Sequence, residues 1–284
     1  MPALVLLLGL ASNAFLLRFV PPAVTPSPLP QEARGTPESA AEAPREPAVP
    51  EAVNVTSTRA ALAIVLDDLG WGVSGTREAL GLPPEVSLAV LPHGPKSTQE
   101  AREAVTLGHE VLLHLPMEPL GSLPATGSGD KYFVTVDMPE ERIEQLVEEY
   151  ARLVPGAIAI NNHMGSRAST DDRVVRAVVR AASRLGLGVL DSKTIAGSKL
   201  FSVALQAGLK AGQNELFIDN LKERDHVRGK LFQAARIALK KQRPVIVIGH
   251  VHPVTVKAIA ETWLELKQMG VDLVKLSQAL DTRK

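Results

Sequence analysis

The stretch Leu62-Ala-Ile-Val-Leu-Asp-Asp-Leu-Gly70 decides how the rest of the chain is read. Five consecutive apolar residues, two of them β-branched, end in two adjacent carboxylates, with Gly70 and Gly72 just after. A continuous apolar run of this length predicts a strand buried on both faces, as in a parallel sheet covered by helices. Neighbouring strand residues point to opposite sides. Asp67 and Asp68 can therefore share one cavity only where the strand gives way to a loop. Such strand ends are where α/β folds place their chemistry. Taken alone, the Asp pair reads as a turn cap. Its weight comes from further stretches with the same arrangement, an apolar strand followed by His, Asp or Asn.

Working outward, strand signals fall at residues 62–67, 86–91, 110–115, 157–161, 188–191, 215–219, 245–249 and 271–276. Helical patterns lie between them. Ser97 with Glu100, and Asp137 with Glu140, have capping-box spacing, and Pro139 suits a first helical turn. Thr170-Asp-Asp opens a helix over 173–185, where Val174, Val178, Ala181 and Leu185 recur at helical spacing. Gly108, Gly186 and Gly270 stand where helix C-caps are expected. Residues 121–135 show neither period and read as a long excursion of the kind that covers a site. The alternation implies an α/β fold with a parallel sheet, most simply a closed (β/α) barrel of seven or eight strands. A doubly wound open sheet is the alternative.

Composition narrows the function. The 284 residues fit one barrel of roughly 250 residues with an N-terminal extension. Lys and Arg number 31 against 31 Asp and Glu, without the basic excess of a nucleic-acid-binding domain. There is no Cys, so any metal must be held by His and carboxylates. Residues Ala3 to Leu17 are almost wholly apolar, and residues 21–58 carry nine of the 21 prolines among Ala, Glu, Ser and Thr. That composition stays extended and unpacked. We therefore expect an apolar signal or anchor segment over 1–20, a linker over 21–58 and a folded domain over 59–284. This organisation suits an extracytoplasmic protein of the cell envelope, secreted, periplasmic or anchored through its N-terminus only.

The strand ends gather the reactive side chains. In chain order they are Asp67 and Asp68, His93, His114 with Glu118, Asn161-Asn-His163-Met-Gly-Ser-Arg167, Asp191, Asp219, and His250 with His252. Five of the seven histidines lie at such ends; His109 and His226 do not. In a parallel barrel these ends converge on one rim. Each has a plainer reading: Asp191 or Asp219 can cap a turn, and His93 can be a loop residue. Together, imidazoles and carboxylates without cysteine fit a zinc-type site of two His and one Asp, with water in the open position.

The order Asp67-Asp68, Gly-His-Glu-Val-Leu-Leu-His114, Asn-Asn-His163-Met-Gly-Ser, Asp191-Ser-Lys-Thr, Ile-Asp219-Asn and Gly-His250-Val-His252-Pro resembles the divergent polysaccharide deacetylases of bacteria. These are distant relatives of metal-dependent carbohydrate esterases that remove N-acetyl groups from chitin or peptidoglycan sugars. The resemblance runs from about Leu62 to Ser277. It implies a distorted (β/α) barrel and a carbohydrate substrate, with a divalent metal, zinc by expectation, as cofactor. By the same resemblance Asp67 is the general base, and Asp68 and His114 are metal ligands. The third ligand is His163 or, second, Glu118. His250 is the general acid, a role His252 can share, and Asp191 is grouped with the catalytic residues. Asn162 and Arg167 are the substrate-binding candidates. The rival functions are a phosphoesterase, a retaining glycosidase using Asp67 and Asp191, and a non-catalytic envelope protein that binds a glycan or partner.

Overall fold

The computed structural model describes residues 60–123 and 132–281. The apolar N-terminal run, the Pro-rich segment and part of the 121–135 excursion lie outside the described residues.

The apolar run forms β1 (Ala60–Leu69), which pairs with three other strands of the sheet. Alternating strands and helices follow: α1 (Thr76–Leu80), β2 (Ser87–Val90), α2 (Ser97–Thr106), β3 (Val111–Met117), α3 (Glu140–Leu153) and β4 (Ala157–Met164). Then come α4 (Asp172–Leu185), β5 (Gly188–Asp191), α5 (Leu200–Gln206), β6 (Ala211–Gln213), β7 (Leu216–Phe217) and α6 (Arg224–Lys241). The chain finishes with β8 (Val245–His250), α7 (Pro253–Gln268), β9 (Val271–Leu273) and α8 (Leu276–Ala279).

The sheet order is β6-β5-β4-β3-β2-β1-β8-β7, with every pairing parallel, and β9 adds to the start of β1. The two edges are consecutive in the chain. Asn214 N donates to Asp191 O at 2.8 Å, and the next residue, Glu215, donates its N–H to Ile246 O at 2.9 Å. One broken stave therefore crosses from one edge of the sheet to the other. That closure makes the distorted barrel and removes the open-sheet alternative.

The sequence pattern shows this stave only as a single strand over 215–219 and gives no signal for β6. The reason is Gly212. A Cβ there would lie 2.6 Å from Ile246 Cδ1 and 2.9 Å from Leu280 Cδ2, so the position is filled by neighbours and carries no apolar signal. Two capping boxes also fail to form. The Ser97 hydroxyl donates to Leu91 O and Gly94 O instead, and Glu100 accepts from Gly70 N at 2.5 Å. Pro139, not Asp137, precedes α3, without a side-chain cap. The helix over 173–185 starts as expected, with Asp171 accepting from Val174 N at 3.0 Å.

Strand alternation sorts two cores. Leu62, Ile64 and Leu66 of β1 face the helices, while Ala63 and Val65 face the barrel interior with Ala89, Leu112, Ala159, Leu190, Ile246 and Ile248. Leu276 and Leu280 join that interior from below. The C-terminal segment is tied there by Ser277 to the Glu110 carboxylate, Lys275 Nζ to Gly108 O, and Asp281 to Ala211. The barrel floor is thus plugged by apolar side chains, leaving the opposite rim for polar groups. Replacing fully buried Leu276 by Ala should cost about 2–5 kcal/mol of stability, measured as a lower denaturant midpoint. An unchanged midpoint would show that the plug does not support the barrel.

Candidate functional site

The alternation that buries Ala63 and Val65 also turns Asp67 inward, and it does the same for His114 after Leu112, Asn161 after Ala159 and His250 after Ile248. Register sets them level: Asp67 pairs with His250 across β1 and β8, and His114 with Asn161 across β3 and β4. Asp68 would point the other way on a regular strand. It adopts φ +72°, in the left-handed region, where the pairing of β1 with β2 also slips. This turn brings both carboxylates to one side. Met164 and Lys193, at the ends of β4 and β5, also have positive φ, so strain of about 1–3 kcal/mol per residue is concentrated on this rim.

Three ligand atoms meet there. Asp68 Oδ1 lies 3.0 Å from His163 Nδ1 and 3.3 Å from His114 Nε2, and the two ring nitrogens are 3.1 Å apart. Asp68 Oδ1 is buried yet accepts no hydrogen bond of good geometry. Two nitrogens and one carboxylate oxygen converging on an orphaned atom form a fitting donor set for a divalent cation such as zinc. Of the two candidates for third place, His163 is in this cluster. Glu118 is not: its Oε1 accepts from Arg167 at 2.6 Å and its Oε2 from Val136 N at 2.7 Å.

Asn161 fixes the tautomer. Its Nδ2 donates to Asp67 Oδ1 at 2.9 Å, so its Oδ1 faces His114 Nδ1 at 3.0 Å and must accept a hydrogen bond from it. In the neutral ring Nε2 then carries the lone pair, directed toward Asp68 and His163. Charge in the cluster favours a cation. Burial would depress His114, but the neighbouring Asp67 and Asp68 outweigh it and raise its pKa. Burial likewise opposes ionisation of Asp68, yet the two imidazoles hold its carboxyl far below the usual carboxylate range. Asp67 moves upward, chiefly through burial.

On the other flank His250 Nδ1 meets Asp219 Oδ1 at 3.0 Å. Asp219 Oδ2 accepts from His250 N at 2.7 Å and from Thr255 at 2.9 Å. Burial works against protonation of His250, but the Asp219 bond and the Asp67 charge push its pKa up to about 9. His252, which precedes α7, is pushed down by burial and by Lys222. At neutral pH the proton therefore sits on His250.

Several expected site residues are occupied elsewhere. Asp191 is fully buried and points away from the cluster; its carboxylate accepts from Lys193 N at 2.8 Å and Phe201 N at 3.3 Å, as a turn cap does. Asn162, also buried, accepts from Ser192 N and donates to Met164 O, which fastens β4 to the loop after β5. Arg167 is committed to Glu118. His109 bonds two backbone carbonyls in the core. Two further residues belong to this arrangement, Asn161 and Asp219. Asn161 could have been chosen over Asn162 by counting strand parity from Ala159. Asp219 looks like a turn cap until β8 places His250 beside it.

Residues 64–280 match the divergent polysaccharide deacetylase family, and the chain belongs to that family. The Escherichia coli (strain K12) uncharacterized protein YibQ is 34% identical over 220 residues, which span 78% of this chain and 67% of YibQ. Among solved structures, an uncharacterized protein from Agrobacterium tumefaciens superposes with a TM-score of 0.71 at 24% identity, covering 77% of this chain and 88% of that one. A mutant CE4 family pseudoenzyme with restored enzymatic activity superposes at 0.50 and 14% identity, over 80% of this chain and 69% of its own. At these identities the likeness to the solved structures is one of fold.

The cluster makes a direct prediction about metal. Asp68→Ala, His114→Ala and His163→Ala should each lose zinc on purification from zinc-supplemented growth, while Glu118→Gln should keep it. Elemental analysis decides, and equal zinc in all four proteins would dissolve the site.

Proposed function

We propose that this protein is a metal-dependent hydrolase that removes N-acetyl groups from a polysaccharide of the cell envelope. The observation that carries the proposal is the convergence of Asp68, His114 and His163 beside an Asp67–His250 pair, one raised carboxylate and one protonated imidazole. A divalent cation held by the three ligands supplies Lewis-acid polarisation of a carbonyl and acidification of water.

The chain's own groups handle the protons. Asp67 Oδ1 is held by Asn161, which leaves Oδ2 to take the proton of the attacking water. Burial makes this carboxylate a stronger base than an exposed one. His250 holds a proton at neutral pH and can deliver it to the leaving amine, with Asp219 fixing its ring and stabilising its charge. Asn161 keeps base and ligand in register. The substrate is a carbohydrate rather than nucleic acid, in keeping with the balanced charge. We place the protein outside the cytoplasm, with any membrane contact through the N-terminal segment. No helix among the described residues is long and apolar enough to cross a membrane.

The reaction is tested by acetate release from N-acetylated glucosamine oligomers or peptidoglycan fragments with metal-loaded protein. Asp67→Asn should keep metal and fold but lose about 10²–10⁴-fold in kcat. A wild-type protein that binds metal and sugar but releases no acetate would instead be a glycan-binding envelope protein. A second measurement addresses the acid. Because His250 must be protonated to act, activity should fall as pH rises through about 9. Asp219→Asn removes its main partner, so this limb should move down toward the ordinary histidine value of roughly 6.5. An unmoved limb would take the acid role from His250.

A further inference from the structure

Beside the metal-ligand cluster stands a group of rings that the proposed reaction does not use. Trp71, three residues beyond Asp68, is 48% exposed despite its size. Its ring meets His93 edge-on at 5.7 Å, and His93 stacks flat on Tyr132 at 4.8 Å with the planes 11° apart. Phe133, next in the chain, lies 6.5 Å from the ring of the ligand candidate His163. The rings thus form a wall running from the ligand cluster outward past the ends of β1 and β2.

The wall is built rigidly. The loops after β1 and β2 pack backbone against backbone: a Cβ on Gly94 would sit 2.2 Å from Gly70 O and 3.1 Å from Trp71 Cδ1. Lys96 N donates to Gly70 O, and buried Glu100 accepts from Gly70 N. Such holding keeps Trp71 presented to solvent when burial would be the default for an indole. The flat apolar face of a pyranose, its axial C–H bonds outward, is the chemistry that fits an exposed aromatic face beside a site for acetylated sugars.

We propose that Trp71, with His93 and Tyr132 behind it, is a stacking subsite for a second sugar ring adjacent to the one being hydrolysed, so that the protein acts on chains rather than single sugars. The inference rests on the carbohydrate reading above and deepens it. The test uses the full chain, zinc-loaded and carrying Asp67→Asn so that bound sugar is not turned over. Calorimetry compares N-acetylglucosamine with its tetramer.

The tetramer should bind at least about tenfold more tightly than the monomer. Trp71→Ala should remove about that factor for the tetramer alone, with zinc content unchanged, and Trp71→Phe should restore most of it. In a Trp263→Phe background Trp71 is the remaining tryptophan, and its fluorescence should respond to the tetramer. Equal tetramer affinity with and without Trp71 overturns the subsite, even if wild type releases acetate and the hydrolase reading stands. Trp71-dependent binding by a protein that releases no acetate retains the subsite and removes the hydrolysis. A tetramer bound no better than the monomer also overturns it.

Discussion

The site depends on one side-chain amide. Asn161 stands between His114 and Asp67 and can satisfy both in a single orientation, since a carboxylate accepts and does not donate. That orientation puts the His114 proton on Nδ1 and frees Nε2 for the ligand cluster. It also holds Asp67 by one oxygen and leaves the other. Ligation and base chemistry are therefore coupled through a buried group with no charge of its own. Asn161 shares a rung with His114 because β3 and β4 pair in that register, so the coupling is built into the sheet.

The barrel supplies the remaining constraints. Small inward residues, Ala63, Ala89 and Ala159, let the staves close tightly, and Leu276 and Leu280 seal the floor. Polar inward positions are then tolerable at the open rim, where buried groups can find one another. Regular strand geometry would have left Asp68 on the wrong side, and its left-handed backbone corrects this at an energetic cost. The same kind of strain at Met164 and Lys193 marks the rim as a place where geometry is held against local preference.

Much of this was legible in the sequence. The run from Leu62 to Leu66 announced a strand buried on both faces, and the recurrence of His and Asp at strand ends announced a shared rim. The resemblance to the divergent polysaccharide deacetylases implied Asp68 and His114 as ligands with His163 ahead of Glu118, and the structure brings the first three together. The rest was not legible because it depends on where side chains find partners in the folded chain. Asp191 and Asn162 carry reactive groups, and in the structure both accept from backbone N–H groups of the segment after β5. Asp219 acquires its meaning from β8, thirty-one residues on. The stave β6–β7 was blurred because Gly212 is defined by the side chains crowding it rather than by its own. Ser97 and Glu100 have capping spacing, yet the loop after β2 takes the Ser97 hydroxyl through Leu91 O and Gly94 O, and the loop after β1 takes Glu100 through Gly70 N.

The proposed chemistry requires Asp68, His114 and His163 to hold one cation together. The most direct measurement is anomalous diffraction at the zinc edge from crystals of the zinc-loaded protein. A single strong peak within about 2.0–2.2 Å of Asp68 Oδ1, His114 Nε2 and His163 Nδ1 is expected if they do. A peak ligated by Glu118 or by His250 and His252 instead, or no peak at the rim in a protein that stays folded, would contradict it.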